Sequence, residues 1–547
     1  MRRLAVLVAL GVLLVPTLSV TTAAGQLPDR ARGAFVKTGC PGFFPASRHV
    51  DCGYVTVPED RSRPGGRTIR VEAAVVRASS AHPAPDPIVF VDGGPSFGAI
   101  SPFALGGYFA SWPFAHDRDI ILVDTRGTGL SKPRLGCPEL DVAQVKAVYA
   151  GPTIDSRAAE IYPPAITACW KRLVGEGIDP AAYTTAESAA DLEALRRALG
   201  VPQWNVLAIS ADGMLGATYV RLFPDHVRSV VFDSGVPPQT IWGPDYDRGT
   251  ALELQQVFRG CRAVPACRAK YPHVHRRLMR QVHRLAKHPA LISIPDFKPH
   301  GITLELDGTG VFYDAMSMIY PGDTLTPSHL LDPLEYIWRI SHGELGQVYR
   351  ELFGTGPATN GHADDYLAQG KTLSYACHDF INFITDKNLR AAARALPAEA
   401  PRYLGPHFDL GHGFAIPVSP AGCREWPVGR APHWQHQPLR SAVPALVLAG
   451  EYDASIPPYV AHGMVRRLSH GYYYEMPASS HLQLEVHTNA HGCARAIAAA
   501  FLTDPTTAPD SSCLASVPPA DFTPRAGSGR LPPIRLLFSR WEGRRDR

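Results

Sequence analysis

The sequence predicts an α/β fold: a mostly parallel central sheet flanked by helices, with a large, mainly helical cap insertion. Three observations predict it. Short continuous apolar runs at 87–91, 119–123, 204–209, 229–232 and 443–449 end in polar, Gly-rich loops, as strands buried on both faces of a parallel sheet do. Segments of helical periodicity lie between several of them, so strand and helix alternate with right-handed crossovers. The alternation then breaks over residues 236–440 and resumes afterwards. The 547 residues are 45% hydrophobic and 19% charged, which allows a large core. Pro and Gly together stay below the roughly 25–30% that marks low-complexity disorder.

In chain order, residues 1–24 read as a signal peptide. Arg2 and Arg3 precede the apolar stretch LAVLVALGVLLVPTLSV and the small residues Thr22-Ala23-Ala24, which places the mature start near Gly25. An uncleaved anchor is the alternative. Pro16 and an apolar length at the bottom of the spanning range count against it, and no second run is long and apolar enough to span a bilayer. Stable membrane insertion after signal removal is therefore not expected, and the mature protein is expected outside the cell.

Residues 25–235 read as the first part of the core. The segments 54–57 and 68–76 alternate like antiparallel strands around the turn Arg63-Pro64-Gly65-Gly66. Residues 185–199 carry a helix from a Thr/Ser start to a stop at Gly200, and Gly213 to Phe223 carry another that Pro224 ends. Residues 236–440 form the cap, with ALELQQVFRGC, HRRLMRQVHRLAKH and LEYIWRISHGEL as helices. Residues 441–503 complete the core with strands at 443–449 and 472–476 and a helix at 492–502. The tail, 504–547, is Pro-rich and basic, and only its part near Cys513 is expected to be tied down.

The formal net charge of +4 resides at the ends: residues 1–25 contribute +2 and residues 525–547 contribute +5, leaving −3 between them. Nucleic-acid binding, which needs a basic face, is disfavoured. Ten cysteines in an exported chain imply disulfides. Neighbouring cysteines (Cys40 and Cys52, Cys137 and Cys169, Cys261 and Cys267, Cys377 and Cys423, Cys493 and Cys513) would each close a local loop, although spacing leaves the connectivity open. A zinc site would call for a CxxC pair or HExxH, and neither is present. Neither metal nor cofactor is expected, and the tracts HVH (273–275) and HWQH (433–436) read as surface histidines.

Ser210 lies in Ala208-Ile209-Ser210-Ala211-Asp212-Gly213, between a buried strand and a helix, which is the setting of a nucleophile elbow. A serine there can also be a plain helix N-cap. Asp453 follows the penultimate strand, in Gly450-Glu-Tyr-Asp453, and His481 follows the last one. Taken singly, Asp453 could open a turn before Pro457, and His481 is one of 22 histidines, with His487 and His491 nearby. Together, Ser, Asp and His stand in the chain order of the α/β-hydrolase triad, each where a loop at the sheet's carboxyl edge delivers it. Asp453 would orient His481, which would take the Ser210 proton and return it to the leaving group. The loop Asp92-Gly93-Gly94-Pro95-Ser96-Phe97-Gly98 follows a buried strand and would supply one oxyanion-hole amide, from Gly94; Ala211 would supply the other. Asp124-Thr-Arg-Gly-Thr-Gly-Leu-Ser131 reads as a supporting loop in which Arg126 pairs with a carboxylate, since no phosphate-binding G-x-x-x-x-G-K-[ST] is present.

On these motifs the chain resembles the secreted tripeptidyl aminopeptidase branch of the α/β-hydrolase peptidases, related to prolyl iminopeptidases, from actinobacteria. The resemblance runs from about Cys40 to Cys513. It is carried by Gly93-Gly94-Pro95, Asp124-x-Arg126-Gly-x-Gly-x-Ser131, Tyr183-Thr-Thr with Asp191-Leu, Phe258-x-x-Cys261 and Ala376-Cys-His-Asp379. Cys423-x-x-Trp426 and Gly492-Cys493 extend it. It implies the α/β-hydrolase fold, the roles given above for Ser210, Asp453 and His481, the five neighbour disulfides, and action on peptides; a monomer is expected. A free substrate amine calls for carboxylates on the cap, and Asp379 and Glu425 are the candidates. The departures lie at the elbow and the oxyanion loop: Ala208, Ala211 and Asp212 stand in a Gly-x-Ser-Tyr-Gly-Gly-like elbow, and Asp92 and Ser96 flank a Gly-Gly-Pro usually preceded by His or Asn and followed by Gly. Two other readings are an esterase or amidase acting on a small secreted metabolite and a catalytically impaired, hydrolase-like binding protein.

Overall fold

The computed structural model describes residues 33–44, 49–94, 97–100, 112–149, 154–242, 244–297, 301–319, 330–353, 368–388, 390, 420–484, 490–524 and 531. The expected signal peptide and most of the Arg-rich end of the tail lie outside the described residues.

The chain opens as an antiparallel meander of β1 (Val36–Thr38), β2 (Val50–Pro58) and β3 (Thr68–Val76), and β2 and β3 pair along their full length. The turn between them closes as its Pro/Gly sequence dictates, with the Gly66 amide donating to the Arg63 carbonyl. The parallel part follows: β4 (Ile88–Val91), β5 (Ile120–Asp124), α1 (Pro138–Tyr149), α2 (Ile154–Gly175), α3 (Thr185–Ala198), β6 (Trp204–Ile209), α4 (Gly213–Leu222) and β7 (Val227–Asp233). After the insertion come β10 (Ala445–Gly450), β11 (Gly471–Met476) and a closing helix, His491–Thr503. The nine strands order as β1-β2-β3-β5-β4-β6-β7-β10-β11.

This order positions the site. From β4 the chain steps back to β5, while from β6 it moves outward to β7. Two adjacent strands that lead off in opposite directions leave a crevice at their carboxyl ends. The apolar runs divide by the two-residue period of a strand. Val89, Val91, Val206, Ala208, Val230 and Phe232 pack under α3 and α4. Ile88, Phe90, Leu207, Ile209 and Val231 pack on the other face with Trp112, Phe114 and the closing helix's Ile497 and Phe501. Both faces are buried, which is why these strands read as unbroken hydrophobic runs.

The insertion holds α5 (Pro244–Ala263), α6 (Pro265–Lys270), α7 (Val274–Lys287), the antiparallel pair β8 (Ala290–Ile294) and β9 (Ile302–Leu306), α8 (Gly308–Ser317), α9 (Asp332–Ser341), α10 (Leu345–Phe353) and α11 (Gln369–Asp379). It differs from the expected cap in two ways. It contains a hairpin, and its residues belong to two cores: residues 251–353 build a cluster of their own, whereas Leu373, Tyr375, Phe380, Trp426 and Leu439 join the core beneath α3 and α4. The Trp426 indole donates to Ser374 Oγ at 3.0 Å, and Ser374 in turn donates to the Pro180 carbonyl at 2.8 Å, which ties this later part to the sheet layer. The tail is also held further than expected. Tyr472 and Tyr474 donate to the carbonyls of Thr506 and Pro509, each at 2.8 Å, and the Phe522 ring is buried in the 251–353 cluster.

All ten cysteines are bonded: Cys40–Cys52, Cys137–Cys169, Cys261–Cys267, Cys377–Cys423 and Cys493–Cys513. Among the described residues no helix is long and apolar enough to cross a membrane.

Candidate active site

β6 runs into a single tight turn, Ser210–Asp212, before α4 begins. Ser210 takes φ +50°, a left-handed conformation that a serine adopts only when its surroundings impose it. Those surroundings are close backbone approaches. The Ser210 carbonyl accepts from the Val236 amide at 2.8 Å, and a Cβ placed on Gly93 would lie 2.5 Å from Ser210 Cβ. Ala208, where the family pattern has Gly, fits because α4 supplies the space: a Cβ on Gly216 would lie 2.6 Å from the Ala208 methyl.

His481 Nε2 lies 2.9 Å from Ser210 Oγ, and Nδ1 lies 2.8 and 3.0 Å from the two Asp453 oxygens. A carboxylate facing Nδ1 fixes the proton there, so Nε2 is free to accept from the serine hydroxyl. Asp453 is fully buried, and its Oδ1 accepts from the amides of Ser455 and Ile456 at 2.9 and 2.8 Å. The histidine loop is anchored by residues that the pattern of motifs passed over. Asp233, at the end of β7, accepts from the Gln483 and Leu484 amides at 2.7 and 2.9 Å, and Ser234 Oγ accepts from the Leu482 amide at 3.0 Å. Burial pushes the Asp233 carboxyl up to about 6 while those amides pull it down. Their signal in the sequence is an Asp-Ser pair closing a run of buried apolar residues.

Beside Ser210, the loop after β4 carries Gly94 at φ +47°, and Ala211 is buried at the start of the turn. Asp124 closes the next loop by accepting from the amides of Leu130 and Ile100 at 2.6 and 2.8 Å; burial pushes its carboxyl up to about 7. Arg126 is the paired cation of that loop. Its Nε and a terminal nitrogen each donate to Asp191 at 2.7 Å, and another donates to the Glu59 and Ala182 carbonyls.

Asp379 and Glu425 are placed differently from a pair of amine-holding acids. Asp379 is fully buried, and its carboxylate is occupied by Thr185 Oγ1, by Gln435 Nε2 at 2.7 Å and by His378 Nδ1 at 2.7 Å. Glu425 accepts from Thr167 Oγ1 of α2 at 2.6 Å. His436 of the HWQH tract is a core residue and not a surface histidine: it is buried, with Nε2 2.5 Å from the Asp379 carbonyl and its ring against Phe383. The elbow is instead braced by α11, where Tyr375 donates to the Ala211 carbonyl at 2.6 Å. Two further acids adjoin Ser210. Burial pushes Asp212 up to about 7 and Asp92 up to about 8, with the Asp212 charge adding to the second shift. Among the described residues, the one group with metal-binding spacing is Cys137, Glu139 and Cys169, and its cysteines form a disulfide.

This geometry agrees with the comparisons. The family model for the alpha/beta hydrolase fold matches residues 86–280, and that for TAP-like protein matches residues 413–513. The tripeptidyl aminopeptidase of Streptomyces lividans is 32% identical over 233 residues, 41% of this chain and 43% of that relative. Serine protease Hip1 of Mycobacterium tuberculosis is 31% identical over 196 residues, 34% of this chain and 36% of that protein. The matched stretch thus spans less than half the length of these curated relatives. A solved proline iminopeptidase from Mycobacterium smegmatis is similar at 15% identity and a TM-score of 0.36, over 83% of this chain and 99% of that one. The sheet topology and both family models agree that the chain has the α/β-hydrolase fold, and its C-terminal part, residues 413–513, is similar to TAP-like protein.

Proposed function

We propose that this protein is an exported serine hydrolase that removes short, two- or three-residue N-terminal units from peptides through an acyl-enzyme, acting as a monomer. The observation that carries the proposal is the hydrogen-bond chain from Ser210 through His481 to Asp453, with distances of 2.9 and 2.8 Å. Ser210 Oγ attacks the scissile carbonyl as its proton passes to His481 Nε2, and Asp453 stabilises the imidazolium. The developing oxyanion takes hydrogen bonds from the amides of Gly94 and Ala211. His481 then protonates the leaving amine, and a water activated by the same ring hydrolyses the ester to Ser210. The relatives named as a tripeptidyl aminopeptidase and a serine protease support a peptide substrate. The Arg2-Arg3 leader and five disulfides support export.

Fluorophosphonate labelling tests the nucleophile: an adduct on Ser210 in folded protein is expected, and its absence ends the hydrolase proposal. A panel of aminoacyl, dipeptidyl and tripeptidyl chromogenic amides beside nitrophenyl esters tests the substrate. Turnover of the dipeptidyl or tripeptidyl amides is expected; ester turnover with every amide silent would replace the peptidase with an esterase.

A further inference from the structure

The two acids that depart from the family pattern, Asp92 and Asp212, lie on the two backbones that meet at the nucleophile. Asp92 precedes Gly93, whose Cβ position is 3.3 Å from Ser210 Oγ, and Asp212 ends the turn that Ser210 begins. Asp212 is only 6% exposed. Among the described residues its carboxylate takes no hydrogen bond and no ion pair, and that of Asp92 takes only the amide of Gly93. The cation nearest to Asp212 in charge, Lys371 of α11, is directed elsewhere: its Nζ donates to the Tyr183 carbonyl at 2.9 Å and to Ser188 Oγ at 3.3 Å. The other neighbouring acid, Asp379, is saturated by its own donors. A carboxyl group in a residue this buried, with no hydrogen-bond partner, ionises only at a cost and is pushed toward its protonated form unless a cation joins it.

We propose that Asp92 and Asp212 form the cation-receiving end of the acyl pocket and hold the α-ammonium group of the substrate. The inference rests on the hydrolase reading of Ser210 and goes beyond it by naming the recognised group. An ammonium brings three N–H donors on a single charge, which two acceptor carboxylates can divide between them. Two carboxylates with no third ligand make a poor cage for a hard divalent cation, which takes six or more oxygens. The placement also confers selectivity in the chemical step. When ionised, the two carboxylates beside the oxyanion amides oppose the developing oxyanion, and a bound ammonium cancels that opposition. A substrate with a blocked amine leaves it in force.

The pH dependence follows. Asp92 is faced by Asp212 and Asp124, and Asp212 by Lys371, Asp379 and the Tyr375 hydroxyl. Burial holds the pair partly protonated near neutrality, Asp212 ionising about pH 7 and Asp92 about pH 8. Charge beside the oxyanion amides therefore accumulates as pH rises; N-blocked substrates slow through that window, whereas free-amine substrates slow only as their own ammonium, with an ordinary pKa of about 8, loses its proton.

The test measures kcat/KM for alanyl, dipeptidyl and tripeptidyl nitrophenyl esters, each with a free and an N-acetylated amine, in the full chain and in Asp92→Asn, Asp212→Asn and the double variant. Esters keep the result independent of amide preference. Wild type should prefer the free amine by roughly tenfold or more, the scale of one charge in a partly buried site. The double variant should bring the ratio close to one, speed the N-acetylated esters and remove their alkaline decline. Fluorophosphonate labelling of Ser210 and far-UV circular dichroism accompany each variant, and Asp212→Gly, which restores the family's small residue, stands in if the Asn variant misfolds. If Ser210 labels and esters turn over in every variant with an unaltered free-amine preference, or with none in wild type, the amine site is overturned and the hydrolase stands. If wild type neither labels nor turns over any ester, the hydrolase reading falls as well.

Discussion

Ser210 holds φ +50° because Gly93 and the Val236 amide press on it from outside the turn, so its hydroxyl projects toward His481. Each residue of the constellation therefore has a distinct signature on substitution. Ser210→Ala should reduce turnover to the level that the oxyanion amides and binding sustain alone, and survival of wild-type turnover would identify another nucleophile. Asp453→Asn preserves size but presents a donor to His481 Nδ1; kcat should fall roughly 10⁴-fold with folding intact, read from single-turnover kinetics. At Gly93 a methyl group would collide with Ser210 Cβ, so Gly93→Ala should lower kcat roughly 100-fold by shifting the oxyanion loop. An unchanged kcat there would mean that the loop does not serve the oxyanion. The Ser, Asp and His positions were legible in the sequence because each lies in the loop that follows a strand. Asp233, Ser234 and the saturation of Asp379 were not, because they depend on donors 250, 248 and 194 residues away in the chain.

At the scale of elements, the loop after β5 and the middle of α3 are locked by Arg126 and Asp191. Both are buried, and the guanidinium makes two hydrogen bonds to the carboxylate. Arg126→Met removes two of the hydrogen bonds to the buried carboxylate and leaves it to Arg61 alone, so it should cost about 3 kcal/mol in denaturant unfolding. Burial pushes the Asp191 carboxyl up, but Arg126 and Arg61 outweigh it and hold the group below its ordinary value of 3.8. A depressed carboxylate stabilises the fold above its unfolded pKa and loses that contribution as pH falls through the folded one. The contribution should therefore be complete above about pH 5 and decline below about pH 4, and Asp191→Asn should flatten that part of the stability profile. The motif containing Arg126 foretold a paired cation. Which carboxylate it meets was settled by the packing of α3 on the sheet.

Across the whole molecule, the tail closes on the insertion. A Cβ on Gly260 of α5 would lie 2.2 Å from the Phe522 ring, so the glycine leaves room for the ring. Phe522→Ala should cost about 3 kcal/mol or more and lower the melting temperature, whereas a tail that merely frays would leave it unchanged. The sequence by itself determined the alternation of strand and helix and the chain order of the triad, and it set neighbouring cysteines at spacings that allow short closures while leaving their connectivity open. Strand periodicity, loop composition and short closures are local properties, and local properties survive in a one-dimensional string. Only the tertiary structure decided that residues 236–440 divide between two cores, that α11 braces the elbow through Tyr375, and that Asp92 and Asp212 come within reach of one another's charge next to Ser210. Those arrangements depend on which side chains remain to satisfy a buried polar group once distant segments have packed. No local pattern records that.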